Sequence, residues 1–234
     1  MSIAYPAQLT GALSPNLSRW LWLVKWFLAI PHYIALFFLG IALIVTTVIA
    51  FFGILFTGSY PRGLFDFAVG VLRWGWRVGF YTYSALGTDE YPPFTLARTA
   101  YPADFDVEYP QQLSRGLVLV KWWLLAIPHY LLIGAAVSGG MAVTRTYNSM
   151  GDGSEFVDRT SSSAPGLLAL LVLIAGVALL FTAVYPRPLF ALIMGINRWA
   201  YRVSAYVLLL TDAYPPFRLD QGATEPEPLV TAGA

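Results

Sequence analysis

The chain's two histidines, His32 and His129, sit in the same setting, Ala-Ile-Pro-His-Tyr, at residues 29–33 and 126–130. Two imidazoles brought to equal depth across a pseudo-twofold axis have the chemistry to ligate a haem iron, or to hydrogen-bond a quinone headgroup. The plainer role is local: each follows a helix-kinking proline and can bond a backbone carbonyl freed by it. Lys25 and Lys121 stand among tryptophans just before them, where snorkelling to lipid headgroups accounts for a cation. Further cations recur in order: Arg62 and Arg187 in Tyr-Pro-Arg, then Arg73 with Arg77 and Arg198 with Arg202. Together they would form a basic face suited to anionic lipid. Enzyme signatures are missing: there is no Gly-x-Ser-x-Gly elbow, phosphate loop or His-Glu-x-x-His helix. With no cysteine, disulfides, thiolate metal sites and cysteine nucleophiles are excluded. No catalytic residue, metal site or cofactor is expected, with haem or quinone at the two histidines as the alternative.

These residues are positioned by a duplication. Ser18-Arg19, Lys25-Trp26 and the histidine motif return as Ser114-Arg115, Lys121-Trp122 and the second histidine motif. Thr88-Asp89 and Tyr91-Pro92-Pro93-Phe94 return as Thr211-Asp212 and Tyr214-Pro215-Pro216-Phe217. The boundaries read as an N-terminal segment 1–17, repeat 1 at 18–94, an acidic linker 95–113, repeat 2 at 114–218 and a disordered tail 219–234. The Thr-Asp-x-Tyr-Pro-Pro-Phe ends read as chain stops clipped onto the membrane face, or as docking segments for a partner.

With 57% hydrophobic and 12% charged residues, against about 25% charged in soluble domains, the chain calls for a membrane. Its net charge of +1 gives no reason to expect a nucleic-acid partner. Residues 20–56 form an apolar run too long for one straight crossing of a hydrocarbon core about 30 Å thick. In repeat 2 the matching run is interrupted by a polar loop, 144–166, with Asp152, Glu155 and Asp158 at helical spacing on a solvated face. That insertion predicts a hairpin in repeat 1 too, turning near Leu39-Gly40. A hairpin in each repeat puts every Lys and Arg except Arg145 and Arg159 on one side, as the positive-inside rule asks. The eight tryptophans fall near that side. The helices at 64–86 and 189–210 carry their arginines on one stripe, with Asp66 on it in repeat 1 but Ala191 at the matching position. They are expected to lie in the interface with arginines toward phosphates.

The expected fold is an all-α integral membrane protein: a tandem duplication of a transmembrane hairpin followed by an amphipathic interfacial helix. Four spans are preferred and up to six are compatible. The quoted motifs resemble domain-of-unknown-function family 4389, over about residues 5–94 and 107–218. This resemblance implies a bacterial membrane protein and supplies no catalytic residues. The expected function is a non-catalytic scaffold, accessory subunit or lipid-organising protein of the bacterial inner membrane, multi-pass, with both termini cytoplasmic. Membrane lipids, a larger membrane complex or further copies of the chain are its expected partners. The alternatives are a redox subunit using the paired histidines and a small-solute transporter component.

Overall fold

The computed structural model describes residues 5–138, 141–149, 155–163 and 165–222. Strand β1 (Ala7–Gly11) is followed by a short helix α1 (Lys25–Leu28), the long α2 (Ile30–Thr57) and α3 (Arg62–Tyr81). The chain continues through β2 (Ala103–Val107), before repeat 2, and then α4 (Leu117–Val120), α5 (Ile127–Ile133), β3 (Met141–Ser149), β4 (Glu155–Ser163), α6 (Leu167–Thr182) and α7 (Arg187–Val207). Two separate antiparallel pairs form, β1 with β2 and β3 with β4.

The four-span architecture does not stand. Among the described residues one helix, α2, is long and apolar enough to cross a membrane. The run from residue 20 does not fold back at Gly40, which lies inside α2 with open space around it. It breaks instead before Ile30-Pro31, where proline is tolerated because a first-turn N–H has no helical partner. Leu21–Leu23 is a 3-10 turn and α1 a single turn, leaving α2 28 residues long, about 42 Å at 1.5 Å per residue.

Repeat 2 contains the same helix cut in two. The 7 residues of α5, the 5 of the π-helical Gly134–Ser138 and the 16 of α6 together equal the 28 of α2. The inserted segment falls beside the position matching Gly40. It is the β3–β4 hairpin, so Glu155 and Asp158 lie on a strand and helical spacing does not apply to them; Asp152 lies outside the described residues. At 16 residues α6 is about 24 Å long, shorter than the hydrocarbon core.

The expected interfacial helices are the centre of the fold. Twelve of the twenty residues of α3 are buried. Helices α3 and α7 meet through Trp76 against Tyr201 (5.5 Å between centroids) and Phe80 against Phe190 (6.1 Å). Asn197 donates to the Ser84 carbonyl at 2.8 Å. The β1–β2 pair completes this core with buried Leu9 and Phe105. Residues 95–113 are therefore no free linker, and residues 1–17 contain a core strand. Of the expected tail, only residues through 222 are described.

Candidate functional site

The repeated residues assemble into two copies of one clasp. In repeat 1 the Lys25 ammonium, 1% exposed, donates to the Thr88 carbonyl at 2.6 Å and pairs with Asp89 at 2.8 Å. The other Asp89 oxygen accepts the Ser18 backbone N–H at 2.5 Å. Tyr91 donates to the Leu28 carbonyl, and Phe94 stacks on His32 with centroids 3.9 Å apart. Repeat 2 repeats this chemistry. Lys121 bonds the Thr211 carbonyl (3.0 Å) and Asp212 (2.7 Å), and Asp212 accepts the Ser114 N–H (2.6 Å). Tyr214 reaches the Leu125 carbonyl, and Phe217 stacks on His129 at 4.2 Å. The Pro-Pro step holds the chain extended, so Tyr and Phe return over the first helical turns of their own repeat. The lysines are thus not snorkelling. A buried ammonium without partners would be neutralised; here a carboxylate and a carbonyl meet it.

The histidines belong to this clasp. His32 and His129 are fully buried. Trp74 Nε1 donates to His32 Nδ1 at 3.1 Å. An indole N–H is only a donor, so Nδ1 carries the lone pair and the proton sits on Nε2. Iron ligation through Nε2 requires the opposite tautomer and the loss of the Trp74 bond. In repeat 2 Trp199 lies 5.8 Å from His129, at 70° between ring planes, without making that hydrogen bond. Each imidazole stacks on the Phe of its own repeat.

The arginine stripes turn inward rather than toward phosphates. Arg73 donates to the carbonyls of Phe105 (2.8 Å) and Leu96 (3.1 Å) and pairs with Asp104 and Asp106. Arg77 reaches the Ala97 carbonyl at 2.9 Å and Asp104 at 3.4 Å. In repeat 2 Arg198 donates to the carbonyls of Leu9 and Gly222, each at 3.1 Å, and Arg202 pairs with Asp220 at 2.6 Å. A guanidinium has five donors in a fixed fork, which suits it to gather strand carbonyls and carboxylates at once. Of the residues expected at the lipid headgroups, only Arg62 and Arg187 are exposed. Arg62 pairs with Asp66 along its own helix, at 3.1 Å, and lies over the Tyr109 ring.

The strands are exchanged. β1, before repeat 1, gives the Leu9 carbonyl to Arg198 of repeat 2; β2, before repeat 2, gives the Phe105 carbonyl to Arg73 of repeat 1. Leu9 pairs with Phe105, Ala7 with Val107 and Gly11 with Ala103. Swapping the repeats maps this register onto itself, so a twofold axis passes between Leu9 and Phe105. The sequence signal for these strands is Tyr5-Pro6-Ala7 echoed by Tyr101-Pro102-Ala103, a third repeated motif that the helix-centred reading passes over. Asp104, Asp106 and Asp220 are likewise the partners that a search along each helix face misses.

The buried phenols set a pH limit. Burial pushes Tyr5, Tyr60, Tyr101, Tyr185 and Tyr201 above the ordinary value of 10.0. A raised folded pKa means full stability below the unfolded value and loss above it. Burial, partly offset by Asp89 and Asp212, lowers Lys25 and Lys121, so those two groups favour folding more as pH rises toward 10.5. Five phenols against two ammonium groups predict a net fall in Tm above about pH 10. Thermal melts on either side of that pH check it; a rising Tm would contradict it.

A family model, Domain of unknown function (DUF4389), matches residues 19–95 and 161–218. The second match leaves out Lys121 and His129, although these occupy the same clasp positions as Lys25 and His32. No curated protein and no solved structure matches the chain.

Proposed function

The chain belongs to the DUF4389 family as two matched segments, and from that premise we propose that it is a non-catalytic membrane scaffold anchored in the bilayer by α2. The observation that carries this reading is the exposure of that helix. A soluble protein's apolar core helix would be mostly covered, yet only 17% of the most apolar window of α2 is buried. Ile34, Phe37, Phe38, Ile44 and Phe56 are each 57% exposed or more. Leu131 and Phe181 add exposed apolar surface from α5 and α6. Patches of this extent mark membrane or protein contact. Trp20, Trp26, Trp122 and Trp123, between 46% and 66% exposed, suit the headgroup level.

The non-catalytic reading is supported by the clasps, which pair Lys25 and Lys121 with carboxylates and stack His32 and His129 on phenylalanines, and by the inward bonds of Arg73, Arg77, Arg198 and Arg202. A scaffold role would use the interlock of the repeats, since the β1–β2 pair ties both to one surface against the bilayer.

Flotation of the full chain with phosphatidylcholine vesicles, followed by alkaline carbonate extraction, tests the anchoring. The protein should stay with the membrane; release into the supernatant would overturn the reading. A substitution makes the test sharper. Ile44→Asp, at a 66% exposed site, would be nearly neutral in water. In hydrocarbon it should cost about 2.5–3.5 kcal/mol and weaken vesicle retention. Unchanged retention would count against α2 as the anchor.

A further inference from the structure

The surface of α2 is divided into two stripes. Ile34, Phe37, Ile41, Ile44, Val48 and Phe52, each 49% exposed or more, recur every three or four residues. Leu43, Thr46, Ala50 and Ile54, on the opposite side, are buried. A helix that crosses a bilayer alone meets lipid all round, whereas α2 meets protein along one side. That protein is α3, which runs back beside it. Trp74 bonds His32 near the start of α2, and a Cβ on Gly53 would meet the Pro61 ring at 3.2 Å near its end.

Any slab of hydrocarbon that α2 crosses therefore contains α3 as well, and α3 carries charge at two levels. Arg62 and Asp66, 66% and 56% exposed, stand at one. Arg73 and Arg77 stand at the other, tied through Asp104 and Asp106 to the 63% exposed Arg98. The levels are about 16 Å apart, from Asp66 to Arg77 at 1.5 Å per residue. A hydrocarbon core about 30 Å thick, set across a helix about 42 Å long, cannot avoid both. At the second level residues 97–100 are also irregular and exposed, with the Ala97 carbonyl on Arg77. Exposed ion pairs and open backbone do not face lipid.

Lying flat removes the conflict. Arg73 and Arg77 turn to β2 and its flanks, whereas Trp74 and Val78 pack toward Leu36 and Leu39 of α2. Helix α6 is divided as α2 is, with Leu170, Ile174 and Val177 exposed and Val172, Ala175 and Leu179 buried. A Cβ on Gly176 of α6 would meet the Trp22 indole of repeat 1 at 3.2 Å, and α2 in return packs on α4 of repeat 2. The two apolar segments thus run side by side in opposite directions. A twofold axis that exchanges such a pair stands perpendicular to their common plane, so both stripes face the same way.

We infer that the protein is monotopic: α2 and α6 lie flat, with both stripes sunk into one leaflet and the β1–β2 side in water. This rests on α2 being the membrane anchor. The chain has no cysteine, so single cysteines can carry nitroxides. Ile34→Cys, Val45→Cys and Phe56→Cys, at sites 57%, 54% and 71% exposed, sample the length of α2. In phosphatidylcholine vesicles, oxygen and nickel-chelate accessibility should give all three one depth, about 5–10 Å below the headgroups. A depth that peaks at Val45, with both ends shallow, would overturn the flat orientation and leave the anchor. Full access to nickel at all three sites would overturn both. Shielding from oxygen and nickel alike would mean that a second copy of the chain covers the stripes, and would also overturn both. Sidedness gives a second measurement. Asn16→Cys and Gly63→Cys, exposed before and after α2, should react with an impermeant maleimide from one side of the membrane: both in intact spheroplasts, or both only after lysis. Reaction of one without the other would show a crossing.

Discussion

Asp89→Ala is expected to destabilise the folded protein by about 3–5 kcal/mol, the range for removing one partner of a buried ion pair. The Lys25 ammonium is 1% exposed and would keep the Thr88 carbonyl and the face of Tyr81, 4.8 Å away, but no carboxylate. The Ser18 N–H would lose its acceptor in the same step. Because most of the cost is an uncompensated charge, Lys25→Met combined with Asp89→Ala should recover much of the loss. Asp212→Ala should behave the same way in repeat 2, where Lys121 is equally buried. Equilibrium unfolding of the three variants in detergent measures this. A loss under about 1 kcal/mol for Asp89→Ala would mean that the lysine reaches water or headgroups, returning it to the snorkelling role.

The strand exchange predicts damage at a distance in sequence. Phe105→Ala should cost about 3–5 kcal/mol, as for a buried phenylalanine, and its local effect should extend into the repeat before it. Phe105 precedes repeat 2 and its ring meets Tyr201 of α7, 5.2 Å between centroids, but its strand also packs on α3 and its carbonyl holds Arg73. Backbone amides of α3, as well as those of α7 around Tyr201, should therefore exchange faster after Phe105→Ala, while Leu9→Ala should loosen α7 through the packing of β1 against it. The two residues face each other across the β1–β2 pair, so the double variant should depart from additivity by about 0.5–3 kcal/mol. Hydrogen exchange resolved by peptide decides the point. Loosening confined to the repeat that follows each strand would contradict the exchange.

The clasp accounts for most of the repeated motifs together. Ser, Lys and His at the start of a repeat and Thr-Asp-x-Tyr-Pro-Pro-Phe at its end are one set of contacts made twice. The proline pair supplies the extended backbone that brings Phe94 and Phe217 onto the imidazoles. A single chain-stop explanation of that motif leaves the aspartate unexplained; the clasp uses both of its oxygens.

The sequence by itself determined the duplication, the residues each copy keeps and the place of the insertion. These are properties of order and identity, visible by aligning the chain with itself. It also determined that a large apolar surface exists, because composition fixes how much hydrocarbon the chain carries. The tertiary structure decided where that surface goes. An apolar run longer than a bilayer is satisfied by a bend or by packing part of its length on protein. Leu43, Ala50 and Ile54 of α2 do the second, which made the hairpin unnecessary. Charge counting could not detect this, since a cation gathered by strand carbonyls counts the same as one facing water. The arginine partners were hidden for a related reason. Helical spacing brings Asp66 near Arg62, four residues away, whereas Arg198 finds Leu9 across 189 residues. Only the fold closes that distance, by exchanging two short strands about the axis between Leu9 and Phe105.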